Sequence, residues 1–352
     1  MTAPQPHEPE DRPGRIMAGE MAQQPDVLRR ILEEGAPRIR EIAARIAERA
    51  PRFVLLTARG TSDNAALYAK YLIEVLLQLP AGLVSPSTTT LYGARPDFTD
   101  VLYLSVSQSG GSPDLVAATQ AARAQGALTV AVTNTPASPL SDAAELSVDI
   151  KAGDELAVAA TKTYTATLLS LYLLVDAVRG GSGAAVADIG ELAATALAAP
   201  IDDAVDRYRG VERMVTTGRG YSSATAAEAA LKLAETSYIG ARSYSGADLL
   251  HGPVAAIDEN TGVVAVTSRG HGGNAMRDVV TTVHEKGATV LAVGSAAADV
   301  SADLRIEVPE TEEEVAPILE ILPLQRLALA LSLARGGDPD NPRGLNKVTR
   351  TL

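Results

Sequence analysis

Several groups of residues in this 352-residue chain have the types and spacing to do chemistry. The first is the run Ser107-Gln108-Ser109-Gly110-Gly111-Ser112. Serine hydroxyls and a glutamine amide are neutral donors, and glycines let backbone approach a ligand closely. The run follows the apolar stretch VLYLSV and opens a helical one. It therefore sets unpaired N–H groups at a helix start, where an anion such as a phosphate dianion is stabilised. It lacks the Gly-Lys-Ser/Thr of a triphosphate loop. A plain turn with Ser112 as N-cap would use the same residues. The turn Arg59-Gly60-Thr61-Ser62 sits in the same context. It reads either as a second wall of that site or as another helix start capped by Ser62.

Lys232 and Glu235 lie three apart in AALKLAETSY, on one face of a helix. Such a pair is either an exposed ion pair or a positioned base with an electrostatic partner. His251, in Leu250-His251-Gly252-Pro253, either closes a short helix or serves as an acid/base group titrating near neutrality. His7, His271 and His284 carry no motif. The C-terminal run Pro342-Arg343-Gly344-Leu345-Asn346-Lys347-Val348-Thr349 reads, on its residues alone, as a solvated tail.

Composition narrows the classes. The net charge is −12 with no offsetting basic block, which argues against a nucleic-acid partner. The absence of cysteine excludes disulfides and thiolate metal sites, and the histidines are not spaced as zinc ligands. No cofactor and no metal are expected. The most apolar stretch, Tyr164 to Val178, carries Thr165, Thr167, Ser170 and Asp176 and is short for a bilayer. It predicts a buried helix and no membrane partner. The proline-rich start lacks a signal-peptide core, so residues 1–15 are expected to be a disordered tail and the protein to be cytoplasmic.

The elements that must position these residues alternate. Strands are expected at 52–57, 101–106 and 128–133, and helices at 62–77 and 112–125, after a helical lead-in over 26–50 that Pro25 starts. This rhythm implies an α/β fold with parallel sheets covered by helices. The pattern then recurs. VLLTARGTS at 54–62 matches MVTTGRGYS at 214–222, Tyr103–Val106 falls on Val263–Val266, and GALTVAV at 126–132 falls on GATVLAV at 287–293. Two copies of one unit follow, at 50–207 and 208–335, with a lead-in at 16–49 and a C-terminal segment at 336–352. The second copy replaces the donor-rich loop with Thr267-Ser268-Arg269-Gly270-His271-Gly272, an asymmetry expected if the first loop binds a ligand and without meaning if both are only turns.

ARGTSDNA at 58–65, SQSGGSPDL at 107–115, GDELAVAATK at 153–162, AALKLAETSYIGARSY at 229–244, LLHGP at 249–253 and PRGLNKVT at 342–349 stand in a shared order and spacing. Together they resemble the sugar isomerase (SIS) domain superfamily. More narrowly, they resemble the isomerase half of glucosamine-6-phosphate synthase and the stand-alone deaminases of glucosamine 6-phosphate. The resemblance runs from Met17 to Thr349 and implies two tandem flavodoxin-like subdomains. A glutaminase half is not expected, since residues 1–15 cannot encode one. The resemblance makes Ser107, Gln108, Ser109 and Ser112 ligands of a sugar phosphate, flanked by Thr61 and Ser62. It makes Glu235 the carboxylate that moves a proton between C1 and C2, with Lys232 its electrostatic companion. It gives His251 to ring opening, supplied across a homodimer interface, and Lys347 to the open-chain carbonyl. Two positions depart from the family: Ala234 stands where a lysine is frequent, and Ala160 where a serine is usual. The implied reaction is isomerising deamination of an amino-sugar 6-phosphate. Elimination of the C3 oxygen from an N-acetylated sugar, as in the etherase of the same superfamily, and a non-catalytic sugar-phosphate sensor remain as alternatives.

Overall fold

The computed structural model describes residues 12–347. Val348, Thr349 and positions 1–11 of the expected tail lie outside them. The first sheet comprises β1 (Phe53–Thr57), β2 (Ala81–Leu83), β3 (Val101–Val106), β4 (Leu128–Thr133) and β5 (Leu146–Asp149). The second comprises β6 (Arg213–Gly218), β7 (Gly240–Ser245), β8 (Thr261–Val266), β9 (Thr289–Val293) and β10 (Leu304–Ile306). The first runs β2-β1-β3-β4-β5 and the second β7-β6-β8-β9-β10, the same order, with every pairing parallel. Register repeats as well: Phe53 pairs with Val101 and Arg213 with Thr261. The structure thus bears out the two-copy α/β reading. LTVAVT of β4 and TGVVAV of β8 are buried at every residue, as strands covered on both faces must be.

Parallel strands need covering helices, and the apolar patterns supply them. The lead-in is one run, Gln24–Arg30 and Ala36–Arg49 joined by the π turn Ile31–Gly35. It buries Leu28, Ile31, Ile39, Ile42 and Ile46. Helix Thr61–Leu72 likewise continues as a π turn, Ile73–Leu77. Helix Lys162–Val178 is buried over nearly its whole length and packs on the lead-in and on Thr61–Leu72. Thr165 and Thr167 turn inward with their hydroxyls satisfied by the preceding turn, Thr167 Oγ1 donating to Thr163 O at 2.7 Å. From the second copy come helices Ser222–Ser237 and Ala316–Ala334, packed along each other. Ser332 Oγ donates to Thr236 O at 2.6 Å across that seam. Among the described residues, Ala316–Ala334 alone has the length and apolarity of a membrane span, and it packs as core. One apolar cluster runs through both copies, from Val54 and Leu56 to Val264 and Ile318.

Residues 14–17 meet residues 338–340. Asp338 accepts from Gly14 N at 3.2 Å, and Asp340 accepts from Ile16 N and Met17 N, both at 2.9 Å.

Leu168 is fully buried in the shared core. Leu168→Ala is expected to lower unfolding free energy by about 3 kcal/mol, the usual cost of a core cavity. Urea denaturation of the two proteins checks this.

Candidate active site

In an open parallel sheet of this strand order, ligands bind where neighbouring connections leave in opposite directions, here between the carboxyl ends of β1 and β3. The chain that follows β1 is Arg59–Ser62, and the chain that follows β3 is Ser107–Ser112. The two meet in a pocket of about 370 Å³. Val158 and Ala160 from the loop before helix Lys162–Val178, Lys232 and Glu235 from helix Ser222–Ser237, and Leu345, Asn346 and Lys347 from the C-terminal segment complete it.

The loop is shaped to receive an acceptor. Ser107 Oγ accepts from Gly110 N at 3.2 Å and Ser109 Oγ from Gly111 N at 3.3 Å, so each hydroxyl keeps its own hydrogen for a ligand. Gly110 is in the left-handed region, φ 61°, and a Cβ there would meet Ser138 Oγ at 2.1 Å. Ser112 occupies the N-cap position of helix Pro113–Ala124, yet its hydroxyl makes no capping bond. The plain capping reading of this serine therefore fails, and its hydroxyl stays available. In the first turn the expectation of a Ser62 cap is also corrected. Gly60, at φ 56°, precedes the helix, and Thr61 is already its first residue. Arg59 adds a cation to the pocket wall. Its guanidinium is held at 2.9 Å by Asp114, whose side chain is buried.

Below this loop lies a chain of charges. Lys232 Nζ donates to Glu235 Oε2 at 2.5 Å and to Thr61 Oγ1 at 3.1 Å, and stands 3.4 Å from Glu228 Oε1. Glu228 also accepts from Thr61 Oγ1 at 3.0 Å and Asn64 Nδ2 at 2.7 Å. The Lys232 and Glu228 side chains are 1% and 0% exposed, whereas Glu235 is 24% exposed. The expectation of an ordinary surface pair is thereby set aside. Burial alone would push the Lys232 ammonium down, but the charges of Glu228 and Glu235 outweigh it and the net shift is upward. Burial pushes Glu228 up against the pull of Lys232 and the two donors from helix Thr61–Leu72. With acceptors on every side of Lys232 and donors on every side of Glu228, the ion-pair form is the one this geometry supports. Glu235 is left as the member of the chain open to the pocket.

Sequence reasoning overlooked Glu228, though it stands four residues before Lys232 on the same helical face, and that spacing was the available signal. Thr61 is committed to the charge chain rather than to the loop. Ser62, Gln108 and Ser112 make no side-chain hydrogen bond among the described residues. Lys347 reaches the pocket from the C-terminal segment, its Nζ donating to Glu155 Oε2 at 3.0 Å and Ala157 O at 2.5 Å. His251 does not join them: it is exposed at the end of the short helix Gly246–Leu250, outside the pocket of its own chain.

The second copy has the same switch point, between β6 and β8, and it is filled. The Glu313 carboxylate accepts from His271 N at 2.8 Å and Gly272 N at 2.7 Å, the first N–H groups of helix His271–Glu285. A Cβ on Gly270 would lie 2.3 Å from that carboxylate. Glu320, fully buried, accepts from Ser222 Oγ at 2.8 Å, Thr225 Oγ1 at 2.9 Å and Ser268 Oγ. The chain thus supplies its own anions here, while in the first copy Gly110 and Gly111 N–H meet only serine oxygens of their own loop. The loop asymmetry seen in the sequence has this physical counterpart.

Fold and site together define a tandem α/β protein whose described residues form a donor-lined pocket at the switch point of its first half. The SIS domain signature matches residues 49–177 and again 208–335, and the chain belongs to the SIS domain family. It is 34% identical over 311 residues to the glutamine–fructose-6-phosphate aminotransferase (isomerizing) of Pyrobaculum aerophilum, covering 85% of this chain and 51% of that protein. The chain thus spans about half the length of that relative. A crystal structure from Silicibacter pomeroyi DSS-3, assigned as a phosphosugar isomerase, shares 35% identity and a TM-score of 0.87 over 92% of this chain and 99% of its own. The C-terminal domain of glucosamine-fructose-6-phosphate aminotransferase from Francisella tularensis follows at 25% identity and a TM-score of 0.82, covering 94% and 99%.

Glu313→Ala removes two charge-assisted bonds at a helix start and is expected to cost about 1–2 kcal/mol. A drop in thermal midpoint, with the pocket of the first copy still binding its ligand by calorimetry, checks that the second switch point is structural. Loss of ligand binding would contradict it.

Proposed function

We propose that the pocket binds the open-chain form of an amino-sugar 6-phosphate and that the chain catalyses isomerising deamination of glucosamine 6-phosphate. One observation carries the reading: the uncommitted donors of loop 107–112 and the Glu235 carboxylate, backed by buried Lys232, line the same pocket. The loop fixes the phosphate, and the far end of a six-carbon sugar then lies toward Glu235. Glu235 takes the proton from C2, alpha to the C1 aldehyde, and returns it to C1. The enolic oxygen at C1 needs donors, and Lys347 is the nearby ammonium for it. Reprotonation at C1 leaves an imine at C2. Water adds to it, ammonia leaves, and fructose 6-phosphate is the other product.

The relatives support the amino-sugar class. The Pyrobaculum protein joins amino transfer to isomerisation at fructose 6-phosphate, and the deamination is that exchange run toward ammonia. In this reading a soluble cytoplasmic homodimer brings His251 of one chain to the pocket of the other for ring opening. Leu250, beside His251, and Leu156, in the loop that contributes Val158 and Ala160, are exposed apolar groups that a second copy would cover. Elimination from an N-acetylated sugar is the second reading. Ala160 favours it, presenting a methyl group in the pocket wall where the family usually has a serine. A sensor would need the loop but not a buried charge chain ending in a half-open carboxylate.

Incubation with glucosamine 6-phosphate and, separately, its N-acetyl form distinguishes these. Ammonia and fructose 6-phosphate from the first support deamination. An ultraviolet-absorbing unsaturated sugar from the second, without ammonia, supports elimination and sinks it. Glu235→Gln is expected to retain ligand binding and lose about 10²–10⁴ in kcat. Normal turnover in that variant would remove Glu235 from the proton transfer.

A further inference from the structure

We propose that Glu155 is the positioning residue that sets Lys347 at the pocket. Glu155 lies in the connection between β5 and helix Lys162–Val178, and its side chain is fully buried. Its Oε1 accepts from Thr161 N at 3.0 Å and Thr163 N at 3.1 Å. Its Oε2 accepts from Thr163 Oγ1 at 2.6 Å and from Lys347 Nζ at 3.0 Å. A carboxylate that merely capped the helix start would be satisfied by the first three. The fourth goes to a side chain 192 residues away, 25% exposed, on a segment without regular secondary structure. Breaking a buried pair leaves a charge uncompensated, so the pair binds Lys347 to the loop more firmly than a surface contact would.

The surroundings fix the loop rather than the lysine. Glu20, from helix Arg15–Ala22, accepts from Leu156 N and Ala157 N, and Ala157 O in turn receives the second bond of Lys347. Lys162 Nζ is spent on Gln23 Oε1 at 2.7 Å and on Asp154 O, so it does not compete for Glu155. Asp338 and Asp340 anchor the other end of the C-terminal segment to residues 14–17. Between that anchor and Lys347 the segment forms the pocket wall at Leu345 and Asn346. Glu155 therefore closes the wall as well as placing the ammonium. The catalytic side of this inference rests on the proposed role of Lys347, but the anchoring does not.

Glu155→Gln is the test. Its carbonyl still accepts from Thr161 N and Thr163 N, while its amide nitrogen meets the Lys347 ammonium. Hydrogen–deuterium exchange in peptides spanning 342–347 is expected to quicken about tenfold or more, with the start of helix Lys162–Val178 still protected. On glucosamine 6-phosphate, kcat is expected to fall with little change in KM, and Glu155→Gln added to Lys347→Met should cost nothing further. Unchanged exchange at 342–347, or full additivity of the two substitutions, would overturn the proposal. If the wild-type chain does not turn over that sugar, the function reading fails while exchange still decides the anchoring. Should Glu155→Gln not fold, Lys347→Met makes the same test from the other end: faster exchange at 342–346 supports the anchor, and wild-type exchange refutes it.

Discussion

The buried ammonium of Lys232 joins the two halves of this molecule. It stands on a helix of the second copy, between two carboxylates of that helix, and its third bond goes to Thr61 of the first copy. Glu228 reinforces the joint through Thr61 and Asn64. In a dry seam such charges are tolerable only when each is answered, so the relative placement of the halves is fixed to within hydrogen-bond tolerance. That constraint holds Glu235 opposite the loop at 107–112. Neither half has both features, and the pocket exists because the joint is closed.

Carboxylates do the remaining positioning. Asp114 orients Arg59, Glu155 and Glu20 brace the loop before helix Lys162–Val178, and Asp338 and Asp340 bind residues 14–17. Glu313 and Glu320 occupy the switch point of the second copy. This use of internal acids leaves the loop at 107–112 free of carboxylate partners, among the described residues, in a chain of net charge −12. The donors at 107–112 are neutral hydroxyls and an amide, the acceptors of Ser107 and Ser109 are spent on their own loop, and the backbone carries the field of a helix start. Duplication supplied two such starts, and the chain satisfies one of them with its own side chain.

The sequence alone determined the fold. Parallel strands buried on both faces must be continuously apolar and their connections must be helical, so β3, β4 and the repeat at an offset of 160 residues were legible from pattern. The loop at 107–112 was legible too, because its donors stand at a strand-to-helix turn and its counterpart lacks them. Only the tertiary structure decided which charges act. Glu228 looks like any helix-surface acid in one dimension. Its burial depends on the approach of Thr61 and Asn64, some 165 positions earlier in the chain. The same holds for Lys347, which local pattern assigned to a solvated tail, and for Glu155, to which it gave no role. His251 shows the opposite case: its motif is plain in sequence, yet its own chain leaves it in solvent. Local pattern reports which face of an element is apolar. Which polar groups are desolvated and paired is a property of distant segments meeting, and the sequence does not carry it in any one window.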